Sequence, residues 1–164
     1  MAGTVDTLSA SQLKGVALGL LLARSPPRPR GWIEKKLAHA GRGMSGIELH
    51  RQIATGVPGK AISNLLLALD ITREYLSEFV DQEELNRLEK RACLPMAESD
   101  LLYRIARALV YAVSAFGETH SAVRWLKESN EALGGAVPLE LLTTVEGDEI
   151  VRTEIGAIEH GLPT

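Results

Sequence analysis

Four histidines and one cysteine are the side chains of this 164-residue chain best suited to metal or covalent chemistry. His39, His50, His120 and Cys93 fall at no metal-ligand spacing, so no zinc site is expected. Serines and threonines are numerous, yet none sits in a GxSxG elbow or beside a base that could activate it. Gly41-Arg-Gly-Met-Ser-Gly46 is glycine-rich but lacks the lysine and the preceding strand that phosphate chemistry needs, and it reads as a hinge. No catalytic residue, cofactor or metal is therefore expected, and a small enzyme ranks last among the functions considered. The protein must act by binding.

Charge distribution says what it could bind. Residues 1–42 hold seven Lys or Arg against two Asp or Glu, residues 43–91 hold six against eight, and residues 92–164 hold five against eleven. The net charge of −3 hides this gradient. A basic N-terminal arm (Arg24, Arg28, Arg30, Lys35, Lys36, Arg42) suits an anion, and an acidic C-terminal third suits a cationic surface. Simple solvation of both is the plainer alternative. A lone cysteine forms no internal disulfide and no CxxC pair, which fits a reducing cytoplasm. The apolar run from Gly15 to Ala23 is too short to span a bilayer. It has only Lys14 as a positive flank and no small-residue cleavage pattern before Arg24, so neither export nor a membrane partner is expected.

The elements that must position these charges read as helices throughout. Aromatic residues make up 4% of the chain and β-branched runs are few, which favours an all-α fold. Ser25-Pro-Pro-Arg-Pro-Arg30 forbids helix and reads as a linker. Residues 1–44 are accordingly read as arm and linker, with a turn or two of helix from Trp32 to Ala40, and the folded body is expected to begin near Ser45. From Ser45 to Arg91 four short helices are predicted. The first runs from Ile47 to Ala54, the second follows Pro58 with Ile62, Leu65, Leu66 and Leu69 on one stripe, and the third is capped by Thr72 and carries Tyr75, Leu76 and Phe79. Asp81-Gln-Glu-Glu84 offers a capping box for the fourth, with Leu85 and Leu88 inward. Short helices joined by tight turns follow the plan of a helix-turn-helix, assigned to residues 45–94.

Residues 95–164 read as a second helical module. Pro95 opens a long helix with Leu101, Ile105, Leu109, Ala112 and Phe116 on one face, ending at Gly117. A helix from Thr119 to Lys127, a compact turn from Asn130 to Pro138 and a short helix from Leu139 to Leu142 follow. Thr143-x-x-Glu146 is read as the cap of a last helix through Ile150, Val151, Ile155 and Ile158 to Gly161.

Within this module Ala115-Phe-Gly117, Ala122-Val-Arg-Trp-Leu126, Asn130-Glu-Ala-Leu-Gly-Gly135, Pro138-Leu-Glu-Leu-Leu-Thr143, Gly147, Val151 and Ile158-Glu-His-Gly161 occur in order. That series resembles the toxin-binding domain of the Xre/MbcA/ParS antitoxins. Gly56-Val-Pro-Gly-Lys-Ala61 and Ile71-Thr-Arg-Glu74 resemble the Xre-type helix-turn-helix that precedes it, so the resemblance covers about residues 47–161. It implies a cytoplasmic antitoxin that dimerises, silences a cognate RES-domain toxin consuming NAD or transferring its ADP-ribose, and represses its own operon by binding operator DNA. A transcription regulator with no toxin partner is the second reading.

The resemblance also implies which residues make contact. For the toxin these are Trp125, Asn130, Gly134, Gly135, Glu154, Glu159, His160 and Gly161, with the C-terminal end approaching the toxin's active-site mouth. A pocket that holds an anionic dinucleotide must be cationic, and the last helix carries Glu146, Asp148, Glu149, Glu154 and Glu159 against Arg152 alone. For DNA they are Arg73, Gln82, Asn86, Arg87, Lys90 and Arg91. The chain departs from the family where Asp81-Gln82 replaces a glycine and an apolar residue, and Glu83, Glu84 and Glu89 would oppose phosphates, leaving the basic arm to compensate. Simpler roles stand beside these. Trp125 and Phe116 lie on an apolar stripe and suit packing, Asn130, Gly134 and Gly135 suit a turn, and His160 suits a helix C-terminus as well as a toxin pocket.

Overall fold

The computed structural model describes residues 8–23, 31–40, 43–76 and 81–161. Every regular element among them is helical. In chain order they are α1 (Ala10–Leu22), α2 (Trp32–Ala38), α3 (Gly46–Thr55), α4 (Ala61–Ala68), α5 (Arg73–Leu76), α6 (Gln82–Glu89), α7 (Met96–Phe116), α8 (Thr119–Lys127), a single 3-10 turn (Glu131–Leu133), α9 (Pro138–Leu141) and α10 (Val145–Glu159). Arg24, Arg28, Arg30, Arg42, Phe79 and the last three residues lie outside the described residues.

The fold is organised around α7. Pro95 precedes it without blocking any helical hydrogen bond, and Gly117, at φ 80°, ends it. Tyr103, Ala106, Leu109, Val110 and Val113 are buried along its length. Helices α1, α2, α3 and α4 pack on it, and α8 and α10 pack on it as well. Helix α9 joins α8 to α10, and α6 rests on α4.

Helix α1 corrects the expectation that the folded body begins near Ser45. Ser9 and Gln12 form a reciprocal capping box, and Leu13, Val16, Ala17, Leu18, Leu20 and Leu21 behind it are buried. The apolar run from Gly15 to Ala23 belongs to a core helix that lies against α7 and α4. It is apolar nearly all round because it is covered nearly all round. Full burial of Leu18, Leu20 and Leu21 stabilises the fold by about 1.5–3 kcal/mol apiece. Among the described residues no helix is long and apolar enough to cross a membrane.

A second correction concerns the last helix. Its cap is Thr144, whose hydroxyl accepts from the Gly147 backbone N–H at 3.0 Å, rather than Thr143. Thr143 turns its hydroxyl back to the Glu140 carbonyl at 2.9 Å. One residue decides this because α9 runs to Leu141 and the chain needs Thr143 to finish that turn.

Polar groups in the core tie the elements together. Asn64 of α4 is buried and donates to the carbonyls of Leu20, Leu21 and Ala23, closing the C-terminal end of α1. Ser99 accepts from the Val57 N–H at 3.1 Å, and Leu94 N–H donates to the Val57 carbonyl at 2.8 Å, fastening the segment before α4 to the start of α7.

Candidate functional site

The acidic face begins with an unusually close helix start. Gly147 is buried in the first turn of α10, where an added Cβ would come within 1.8 Å of the Leu141 carbonyl oxygen. Only glycine lets α10 turn so closely off α9. From there the helix buries Val151 and Ile155 against the core and leaves Glu146, Glu149 and Glu159 exposed. Two apolar residues, Val145 at 68% and Ile150 at 48%, are exposed beside them.

Asp148 is the exception among these carboxylates. It faces inward, 7% exposed at its side chain, and pairs with Arg107 of α7, itself 17% exposed. Arg152 reaches the same carboxylate at 3.4 Å from the next turn of α10. The Arg107 guanidinium lies 5.5 Å from the Tyr103 ring centroid. Burial works against the charge of Arg107, but the hydrogen bond and charge of Asp148 outweigh it and hold this arginine above the usual range. Burial pushes the Tyr103 hydroxyl up to about 12 despite the nearby guanidinium. Burial raises Tyr111 too. Arg104 is drawn to Asp100 at 3.1 Å and to the Leu142 carbonyl at 3.1 Å. The arginines near α10 are thus engaged by Asp100 and Asp148, and Glu146, Glu149 and Glu159 face solvent. Sequence reasoning named none of Tyr103, Arg107 and Asp148 as a site residue.

The loop before α9 places the other expected toxin contacts. The Asn130 side chain accepts from the Ala132 N–H at 2.9 Å, and its backbone N–H donates to the Ala136 carbonyl at 3.0 Å. Gly134 and Gly135, at φ 66° and 82°, are exposed and carry the chain round. Trp125 is half-buried, with its ring centroid 6.0 Å from that of Phe116. Glu154 is half-buried, whereas Glu159, His160 and Gly161 are exposed at the end of α10. Trp125, the loop and the end of α10 thus belong to three separate elements, joined through the short helix α9.

The residues expected to meet DNA divide into two groups. Arg73 pairs with Glu89 and also donates to Asn86 Oδ1 at 3.2 Å, and Gln82 donates to the Arg73 carbonyl at 3.0 Å. These three hold α5 against α6. Glu89, 13% exposed, also accepts from Ser63 of α4 at 2.6 Å, so it faces inward and not toward a bound phosphate. Arg87 is exposed and pairs with Glu84, which holds its guanidinium above the usual range. Lys90 and Arg91 are exposed at the end of α6.

Two further features concern the approach to these surfaces. Lys127 of α8 donates to the carbonyls of Leu69 at 3.3 Å and Asp70 at 3.0 Å, capping the end of α4. A cavity of about 610 Å³ is bordered by Glu34, Asp70, Glu118 and His120. There Glu34 accepts from the Thr119 N–H at 2.8 Å, and although burial raises its carboxyl, hydrogen bonds from its own backbone and from Thr119 leave it below the usual range. Among the described residues no group of three or more His, Cys, Asp or Glu could hold a metal ion.

The family described as the antitoxin Xre/MbcA/ParS C-terminal toxin-binding domain matches residues 112–161, from the last turn of α7 to the end of α10. Antitoxin Xre of Pseudomonas putida is 30% identical over 118 residues, covering 71% of this chain and 74% of that protein. A relative that spans most of both chains, together with a toxin-binding domain at this position, shows that the chain belongs to the Xre/MbcA/ParS family of antitoxins.

Proposed function

We propose that this antitoxin neutralises a cognate RES-domain toxin, an enzyme that consumes NAD or transfers its ADP-ribose, by presenting α10 to the toxin and setting the end of that helix at the mouth of the active site. The observation that carries the reading is the charge of α10. Its outward carboxylates sit within the residues matched by the toxin-binding domain, and the nearby arginines are paired, Arg104 with Asp100 and Arg107 with Asp148, while the exposed Arg152 also reaches Asp148. An anionic helix end competes for a pocket shaped to hold an anionic dinucleotide. Trp125, Asn130, Gly134, Gly135, Glu154, Glu159, His160 and Gly161 remain the proposed contacts.

Residues 45–94 are proposed as the DNA-facing module of a cytoplasmic homodimer that represses its own operon, and residues 95–164 as the toxin-facing module. The exposed cluster of Arg87, Lys90 and Arg91 supports operator binding. Arg73, Gln82 and Asn86 take the supporting part, placing α6 and contacting DNA second.

Expression of the adjacent reading frame alone, then together with this chain, tests the reading. Toxicity that the antitoxin relieves, with the two proteins co-purifying, is the expected result. Deletion of Glu159 to Thr164 should abolish relief while the thermal midpoint stays within a few degrees, because Glu159, His160 and Gly161 are exposed. A harmless neighbour with no affinity for the chain defeats the proposal and favours a regulator without a toxin.

A further inference from the structure

We propose that Arg107 and Asp148 are positioning residues for toxin recognition, their buried ion pair fixing the rotation of α10 on α7. The inference rests on the reading of α10 as the docking helix.

The start of α10 is set on α9 by Gly147 and the Thr144 cap. Beyond that first turn its fully buried apolar contacts are Val151 and Ile155, while Ile150 and Ile158 stand nearby with almost the same shape and volume. Apolar packing accepts such exchanges with little penalty. Successive residues of a helix are set 100° apart, so a rotation of that size carries Asp148 away from Arg107 and brings a different face outward. The face now outward holds Glu146, Glu149 and Ile150. Arg152 lies on α10 itself and moves with Asp148, so Arg107 is the partner of Asp148 on α7, and the pair between the two helices admits one orientation of α10.

Stability does not account for the pair. The Tyr103 hydroxyl, Arg107 Nε and Asp148 Oδ1 have no hydrogen-bond partner among the described residues. An incompletely satisfied buried network is a net burden relative to apolar side chains of similar volume. The Tyr103 ring, held 5.5 Å from the guanidinium, steadies Arg107 without adding a partner for those atoms. The arrangement makes sense as a means of selecting one conformation.

The test separates stability from placement. The full chain carrying Arg107→Met with Asp148→Leu is compared with wild type by thermal unfolding, by amide exchange across residues 145–159 and by titration with the protein of the adjacent reading frame in an inactivated form. The expected result is an unchanged or higher thermal midpoint, faster exchange confined to α10 and affinity weakened by about tenfold or more, equivalent to 1.4 kcal/mol. A folded double variant with wild-type exchange and wild-type affinity overturns the proposal. If that variant does not fold, Asp148→Asn, which keeps the volume and removes the charge, is judged by the same criteria. The exchange measurement needs no toxin, so a wild-type chain that fails to bind the neighbour counts against the functional reading alone.

Discussion

The carboxamide nitrogen of Asn64 lies 3.1 Å from the carbonyl oxygen of Ala23, and the same group reaches the carbonyls of Leu20 and Leu21 at 3.2 and 3.4 Å. A side chain of α4 thereby completes the last turn of a helix more than forty residues upstream. Asn64→Ala strands these acceptors in the core, and a loss of about 1–3 kcal/mol is expected. Urea unfolding measures it. A midpoint equal to that of wild type would show that α1 needs no such cap.

Tyr103 predicts an alkaline limit to stability. Its hydroxyl ionises near 12 in the folded chain and near 10 when unfolded, so between these values the unfolded state has released a proton that the folded state retains. Stability therefore falls as pH rises from about 10 to 12, by up to about 1.4 kcal/mol per unit. Tyr103→Phe should flatten that decline and leave stability at pH 8 equal or higher, because the hydroxyl has no partner among the described residues. Urea midpoints for both proteins at pH 8 to 11.5 check the slope.

Gly147→Ala is expected to be severe for so small a change. The new methyl group would sit within 1.8 Å of the Leu141 carbonyl, and both belong to backbone that other contacts fix. Displacement of the α10 start should destabilise by about 1–3 kcal/mol, as overpacking does elsewhere. Gly156, where an added Cβ meets nothing within 4 Å, provides the control, and Gly156→Ala should raise helix stability slightly. Thermal midpoints of the two variants would rank them, and equal values would contradict the close approach.

Charge reversal at Arg87, Lys90 and Arg91 should abolish retention of operator DNA in mobility-shift assays. Milder variants with one of the three changed to alanine should reduce the salt dependence of binding by about one unit of slope per lost phosphate contact. Arg73→Ala should act differently. Its loss releases Glu89, so it weakens folding and DNA binding together. An operator affinity indifferent to the triple reversal would exclude α6 as the DNA-facing element.

Helices with strong local punctuation were legible in the sequence. Gly117 ends α7, Pro138 opens α9 and Asp81 caps α6 as their residue types require. Helix α1 falls in the stretch assigned to the arm on the strength of the Pro-rich segment after it, although Ser9 and Gln12 have the spacing of a capping box. The resemblance implies Arg73, Gln82 and Asn86 as DNA contacts, and the bonds they make with one another and the pairing of Arg73 with Glu89, which Ser63 holds from twenty-six residues away, are not legible in the sequence. The pair of Arg107 and Asp148 was equally out of reach, since forty-one residues separate two helices whose contact depends on tertiary packing.

The place of α1 also governs when the molecule can finish folding. Its cover is α7, whose first residue is made 86 positions after that of α1. A nascent chain therefore carries an apolar helix with its final partner still unsynthesised, and closure of the centre waits for a contact between distant parts of the sequence. An antitoxin assembled this way becomes competent late in its own synthesis, and a shortened product that stops before α7 would expose a sticky helix instead of offering partial protection.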